Sequence, residues 1–183
     1  PGRAQLKALI DNCTWVYCDG TSIQYEAGCT LAGWKVSGKD AGYTDNCIFL
    51  PSSGTNDSNR LGLTGVGTRG CFWSSDPNDA WGYFLDFVAD SKSIPYHDRS
   101  HGCSVRAILN PALDALFSVS STTKVTFSPG NLQYYCSTSA PVWRFAAHQY
   151  DYIAFDGSAY AENSGKWIDL FAYGTSGYNN GQS

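Results

Sequence analysis

The sequence predicts an α+β fold made mostly of antiparallel strands, with one or two helices and long loops. Charged residues make up 15% of the 183 residues, whereas about 25% is usual for globular domains. Aromatic residues also reach 15%, glycine occurs 19 times and methionine is absent. This composition is typical of strands and loops held together by Trp and Tyr rather than of a helical bundle. The chain is long enough to bury a substantial hydrophobic core.

The clearest helical pattern lies between Ala4 and Asn12. Leu6, Leu9 and Ile10 recur at helical spacing, so they predict one apolar face.

Short strands are expected to follow this helix. They are Thr14–Tyr17, Gly33–Val36 and Asn46–Pro51, the last of which is apolar and ends at a proline. The polar stretch Ser52–Leu63 is predicted to be a flexible loop.

The stretch from Gly70 to Arg106 is the part of the chain around which the rest is organised. It is predicted to contain three antiparallel strands: Cys71–Trp73, Trp81–Val88 and Cys103–Ile108. A turn-rich break at Ser74–Asp79 separates the first two, and a long polar crossing, Ala89–His101, separates the last two.

The alternation within the second of these strands predicts two different faces. Tyr83, Leu85 and Phe87 are expected to face a core, whereas Phe84, Asp86 and Val88 are expected to face the other way.

After Arg106 the sequence changes character. Residues 109–116 are expected to form a linker or a short helical turn. Strands are predicted within Phe117–Phe127 and Asn131–Tyr135, an aromatic-rich segment follows at Val142–Ile153, and residues 169–183 are predicted to be loop.

Seven cysteines are many for this length, and no two of them have the spacing of a zinc ribbon. One interpretation is a disulfide framework in an exported protein. The alternative is a set of buried, reduced thiols that act as small hydrophobes. A bridge between Cys71 and Cys103 is the first pairing expected, and the odd number leaves at least one thiol free.

Charge and hydropathy argue against a nucleic-acid partner and against a membrane-spanning segment. The formal net charge of −4 and the pI near 5.1 argue against nucleic acid, which requires a basic surface. No apolar run approaches the roughly 18 residues of a membrane span. No signal peptide is visible, and the start at Pro1 predicts a fragment or a processed chain.

Motifs in the first part of the chain resemble a known family. Asn12–Trp15, Ile48–Pro51, Phe72–Ser75 and Gly102–Arg106, in this order, resemble the major paralogous domain family abundant in Bacteroidetes and Fibrobacter. That family is similar to the C-type-lectin-fold variable proteins diversified by retroelements. The resemblance covers roughly residues 3–108 and implies a C-type-lectin-like fold on an exported, cell-surface protein.

Motifs in the second part resemble the same family but come in the opposite order. They are Phe117–Ser120, Phe127–Tyr134, Trp143–Ala146 and Trp167–Gly174. The chain is then either permuted, with 117–183 packing onto 1–108 across the 109–116 linker, or it joins parts of two tandem copies that exchange elements with a partner chain. One composite domain is favoured, because incomplete sheets expose edges and aromatic side chains.

The resemblance also implies a ligand-binding face at about residues 69–101, formed by the loop and strand between the Phe72–Ser75 and Gly102–Arg106 motifs. Its candidate contact residues are Arg69, Trp81, Tyr83, Asp86, Tyr96, His97, Asp98 and His101. Tyr and Trp offer large, stiff contact area, and Asp and His add directional hydrogen bonds. The alternative is that the aromatics are ordinary core residues and the rest a solvated loop.

The resemblance gives a different role to four further residues. Phe72, Trp73, Val105 and Arg106 are expected to be framework that supports the binding face.

Metal binding and catalysis are alternative functions for this sequence. Asp76–Asp79 superficially resembles a calcium-lectin motif but is also an ordinary turn. Cys103 with His101 suggests a nucleophile pair without an identified orienting group. The carboxylates Asp151, Asp156, Glu162 and Asp169 are candidates for glycoside hydrolysis because they need only meet in space. No cofactor is expected, since the three histidines lack metal-ligand spacing.

The function predicted is that of an exported bacterial surface protein that binds a protein or a glycan and has no catalytic activity. A glycan-processing enzyme and a purely structural adhesin or pilus module are the alternatives.

Overall fold

The computed structural model of the chain describes residues 1–40, 44–56, 63–109, 117–118, 124–135, 142–152 and 167–171. Across these residues the protein is mostly β-strand with a single helix, α1 (Arg3–Asn12), as the α+β prediction requires. The strands are β1 (Cys13–Cys18), β2 (Gly33–Gly38), β3 (Cys47–Pro51), β4 (Ser53–Asn56), β5 (Leu63–Val66), β6 (Gly70–Asn78), β7 (Trp81–Val88), β8 (Ser91–Ser93), β9 (Tyr96–Asp98), β10 (Cys103–Ser104), β11 (Ile108–Leu109), β12 (Phe117–Ser118), β13 (Lys124–Phe127), β14 (Leu132–Tyr135), β15 (Val142–Phe145), β16 (Trp167–Ile168) and β17 (Leu170–Phe171).

The helix forms where its apolar spacing predicts it. Leu6 and Leu9 are buried, and Ile10 packs beside them. At the N-terminus the backbone N–H of Arg3 donates to Asp76 Oδ2 at 2.7 Å. A carboxylate at this end of a helix satisfies an otherwise unpaired donor and complements the helix dipole. The helix is therefore tied to β6.

Strands β1, β2 and β3 form an antiparallel sheet against the helix, and the predictions for these three strands are confirmed. Trp34 and Val36 of β2 lie opposite Leu50 and Ile48 of β3. Directly opposite residues share a face of a sheet, and all four side chains join the core around α1.

Strand β6 is the centre of a larger, eight-stranded sheet. Its partner on one edge is β7, which is antiparallel, and β7 in turn pairs with β8 and β9. On the other edge β4 and β10 both run parallel to β6, and β10 pairs with β17.

Three sequence predictions for this sheet are wrong. Strand β6 does not break at Ser74 but continues to Asn78 through a register irregularity between Trp73 and Pro77. The polar crossing Ala89–His101 contains two strands that pair with β7. The third strand pairs with β6 in parallel, because the chain crosses over after β9 rather than returning through a hairpin.

The predicted flexible loop also contains structure. Ser53–Asn56 is a buried strand, and the hydroxyl groups of Ser53 and Thr55 have hydrogen-bond partners. Ser53 Oγ lies 3.0 Å from Ser104 Oγ, and Thr55 Oγ1 donates to the Gly102 carbonyl at 2.9 Å. Residues 57–62 of the predicted loop lie outside the described residues.

Both faces of the β6–β7 pair are covered. Leu85 and Phe87 pack with α1 as predicted. Phe84, expected to point away from the core, is buried against Trp73, Cys71 and Cys103. The one-sided prediction was wrong because alternation identifies two faces but not whether the second one is also covered.

The predicted Cys71–Cys103 disulfide is present, with the Cα atoms 5.0 Å apart. Four other cysteines among the described residues are not part of a disulfide: Cys13, Cys18, Cys29 and Cys47. Burial raises the pKa of Cys13 to about 11, so this thiol is protonated at neutral pH. The described cysteines therefore include both a disulfide and buried thiols, and Cys136 lies outside the described residues.

The second part of the chain contributes two small sheets and one strand of the large sheet. Strands β11, β13 and β12 form one small sheet, and β15, β14 and β16 form the other. Strand β14 confirms the strand predicted near Asn131–Tyr135. The loop prediction for 169–183 is wrong at β17, where Leu170 and Phe171 are buried against β10. Of the predicted linker, 110–116 lies outside the described residues.

Arg106 connects the two parts of the chain. Its side chain is only 2% exposed. Nη2 donates to the carbonyls of Phe49 at 2.7 Å and Gln149 at 2.8 Å, and Nη1 donates to the Ser128 carbonyl at 3.3 Å. Burial lowers the pKa of Arg106 to about 10, so the guanidinium is still a cation at neutral pH.

In the described part of the chain, no helix has the length and apolarity required to cross a bilayer.

We expect Arg106→Ala to destabilise the protein by about 3–5 kcal/mol, because it leaves buried carbonyls without donors and opens a cavity. The denaturant midpoint measures this loss. Lys7→Ala is the matched control, since it removes a cation whose ion pair with Asp11 is largely exposed, and its cost should stay near zero. Equal midpoints for both variants would show that Arg106 does not hold the segments together.

Reducing the Cys71–Cys103 bridge should cost about 3–4 kcal/mol, because it frees a loop with a sequence separation of 32 residues. Unfolding curves with and without a phosphine reductant measure the difference. The Cys71→Ala/Cys103→Ala variant is the control, and its stability should not respond to the reductant. If the reductant also lowered the stability of this variant, the loss of stability would come from the other cysteines.

Candidate functional site

The strand register sorts the candidate contact residues into separate places. Tyr96 lies opposite Tyr83, and Asp98 lies opposite Trp81, so these residues share one face of the β7–β9 pair. His97 lies opposite Gly82 and therefore belongs to the other face. The sequence prediction treated all of them as one surface.

The first face presents an exposed group of rings, which we call the aromatic patch: Trp81, Tyr83 and Tyr96. Trp81 is 39% exposed and Tyr96 is 53% exposed, and Tyr83 is half-buried. The Tyr96 ring lies 5.6 Å from the Trp81 ring and 5.9 Å from the Tyr83 ring, nearly perpendicular to both. Edge-to-face packing of this kind holds the rings in place.

Arginines on either side of the patch help to fix it. The guanidinium of Arg3, in the first turn of α1, lies 4.3 Å above the centre of the Tyr83 ring, which is a cation–π contact. Arg99 Nη2 donates to the Asp79 carbonyl at 2.6 Å, and its Nε donates to the Trp81 carbonyl at 3.4 Å. Arg99 therefore braces the turn between β6 and β7.

Neither arginine is among the contact residues predicted from the sequence. Arg99 follows the candidate residue Asp98 directly, so its position in the polar crossing was the available signal. Arg3 had no such signal, because only the tertiary fold places the start of α1 beside Tyr83.

His97 and His101 lie on the face of the sheet opposite the aromatic patch. We call this the covered face, and it also carries Phe84 and the Cys71–Cys103 bridge. His101 is 6% exposed, and its ring lies 4.6 Å from that of His97 and 6.0 Å from that of Phe84. This pocket also contains the Cys71–Cys103 bridge. The sequence prediction of an outward contact residue does not fit His101, since it is sealed on the covered face.

Arg69 and Asp86 bind each other rather than joining the patch. Arg69 Nε lies 2.6 Å from Asp86 Oδ1, and Nη2 lies 3.0 Å from Oδ2. This is a two-pronged ion pair whose side chains are 36% and 23% exposed. In this state neither charge is available to a ligand without breaking the pair.

Several residues considered for calcium binding or catalysis have structural roles or are buried. Asp76 caps α1, which gives this carboxylate a structural role in the supposed calcium motif. Cys103 is in a disulfide, so it is no thiol nucleophile in this form. Asp151 accepts from the backbone N–H of His148 at 3.0 Å, and Asp169 is fully buried.

Asp156 and Glu162, the other two carboxylates considered for hydrolysis, lie outside the described residues.

The expected framework residues are inside. Phe72, Trp73 and Arg106 are buried, and Val105 is half-buried. Trp73 Nε1 also donates to the Phe171 carbonyl at 2.5 Å, which anchors the second part of the chain beneath the site.

Comparisons with protein-family models, with curated proteins and with solved structures found no match for this chain. Function is therefore inferred from the site and from the sequence motifs.

We expect a double-mutant cycle of Arg69→Ala and Asp86→Ala to give a coupling free energy of about 0.5–1 kcal/mol, because the pair is two-pronged but partly exposed. Urea unfolding of the two single variants and the double variant measures it, and high salt should reduce it. A coupling near zero in low salt would mean that the two side chains are not engaged with each other in solution.

Proposed function

We propose that this protein is an exported bacterial surface protein that binds a protein or glycan ligand through the aromatic patch and has no catalytic activity of its own. The observation that carries the proposal is the exposure of Trp81 and Tyr96 on a braced pair of strands. Large aromatic side chains left in water on a rigid support are typical of recognition surfaces.

The chemistry of the patch fits a ligand with both apolar and polar surfaces. The rings offer flat apolar area whose conformation is already restricted, so little side-chain entropy is lost on binding. The exposed carboxylate of Asp98 shares the face and can accept hydrogen bonds from hydroxyl or amide groups. A sugar ring and an extended peptide both present this combination.

The C-type-lectin-like fold is part of the proposal. Its support is the sequence resemblance, together with an architecture of one short helix packed on mostly antiparallel strands. One composite domain is supported by Arg106, whose donors reach both parts of the chain, and by the pairing of β17 with β10.

Export is supported by the Cys71–Cys103 disulfide, because such bonds persist mainly in oxidising compartments. An extracellular or cell-surface location follows from this proposal and from the family resemblance.

A second candidate function, a structural surface module, is favoured by strand β15. Val142, Trp143 and Phe145 are each more than 40% exposed. Within the described residues β15 pairs only with β14. An open strand edge with exposed apolar side chains is suited to pairing with another chain.

A glycan array followed by titration of the best ligand tests the aromatic patch. We expect Trp81→Ala and Tyr96→Ala each to weaken binding about tenfold or more, as central aromatic contacts do. A hydrolysis assay on the same glycans, which should show no turnover, separates binding from catalysis.

Trp143→Ala is the matched control, because this Trp is 44% exposed but lies on a different sheet. Its affinity for the ligand should equal that of the wild type, while self-association measured by sedimentation should fall if β15 is an assembly edge. Ligand affinity unchanged by Trp81→Ala and Tyr96→Ala would contradict the proposed binding face.

A further inference from the structure

A cluster of metal-ligating side chains lies on the covered face of the β6–β7 pair. Cys71, Cys103 and His101 place their ligand atoms within 4.8 Å of one another, and all three residues are buried. Within the part of the chain that the structure describes, no other group of three His, Cys, Asp or Glu residues comes together in this way.

His97 lies beside this cluster and is the candidate for a fourth ligand. Its ring lies 4.6 Å from that of His101, and its position opposite Gly82 turns it toward the covered face. Its Nδ1 is sealed from solvent and has no hydrogen-bond partner among the described residues. A buried ring nitrogen without a partner is costly, and a metal ion would satisfy it.

We propose that reduction of the Cys71–Cys103 disulfide opens a zinc site formed by Cys71, Cys103, His101 and His97. In the disulfide form the two sulfurs are bonded to each other and do not act as thiolate ligands. Once they separate, the set has the Cys₂His₂ composition of a tetrahedral zinc site.

The distances among three of the four proposed ligands are close to those of a zinc site. Zn–S bonds of about 2.3 Å and Zn–N bonds of about 2.0 Å place tetrahedral ligand atoms roughly 3.3–3.8 Å apart. The ligand atoms of Cys71, Cys103 and His101 already lie within 4.8 Å. The surrounding Trp73 and Phe84 exclude water, which favours a closed structural site.

The chemistry balances with a dithiol as the reductant. The dithiol passes two electrons and two protons to the Cys71–Cys103 bond, which breaks, and the dithiol becomes a cyclic disulfide. Zinc then displaces both thiol protons, so binding one ion releases two protons to solvent. The zinc form belongs to a reducing compartment, such as the cell interior before export, and the disulfide form to an oxidising one.

Cobalt(II), a spectroscopic substitute for zinc, tests the proposal on the whole chain. A phosphine is used to reduce the protein because dithiols chelate metal. We expect the reduced wild type to bind one cobalt, with thiolate-to-metal charge transfer and the intense visible bands of tetrahedral cobalt. Added zinc should abolish these bands, and the oxidised protein should show none.

Two variants assign the ligands. Reduced Cys71→Ala/Cys103→Ala should lose the charge-transfer bands while the other thiols remain, and circular dichroism checks that it folds. His97→Gln keeps both thiols and alters a half-buried position, and it should weaken cobalt binding about tenfold or more. Absence of cobalt bands in reduced wild type, or equal bands in the double cysteine variant, would overturn the proposal.

Discussion

The hydrogen bonds of the buried Arg106 guanidinium hold distant segments of the chain together. A cation in a water-free interior is tolerated only when acceptors surround it. Arg106 finds these acceptors in carbonyls of Phe49, Ser128 and Gln149, which lie far apart in sequence. Gln149 reinforces the junction, since its Oε1 accepts from the backbone N–H of Phe49 at 2.7 Å. Because one buried cation needs all of these acceptors, it holds the segments around Phe49, Ser128 and Gln149 together.

The central hairpin divides the chemistry of the protein between two faces. On one face, α1 covers Leu85 and Phe87, and the rings of Trp81 and Tyr96 stay exposed near its N-terminus. On the other face, the disulfide and His101 are sealed. The proposed recognition surface and the proposed metal site therefore lie on opposite faces of the large sheet and share no side chain, because alternation sends neighbouring residues such as Tyr96 and His97 to opposite sides.

Sequence patterns within short stretches predicted the elements that such patterns define. The apolar spacing of Leu6 and Leu9 identified the helix, and alternation identified β7. The same reasoning missed strand β4, because Ser53 and Thr55 look like loop residues until Ser104 and the Gly102 carbonyl supply their hydrogen bonds. It also assigned Arg69 and Asp86 to the binding face. Their ion pair joins residues 17 positions apart, so no local pattern shows that the two side chains bind each other.

Composition and short-range spacing predicted the strand-rich fold class, the helix and the aromatic character of the site, and the Cys71–Cys103 bridge was the first pairing expected. Periodicity and residue chemistry are properties of short stretches, so they can be found without coordinates. Three features follow from long-range contacts that no local pattern shows: β10 runs parallel to β6, His101 faces inward, and Arg3 lies over the Tyr83 ring. These outcomes depend on which surfaces come together, and long-range burial and hydrogen bonding govern that choice.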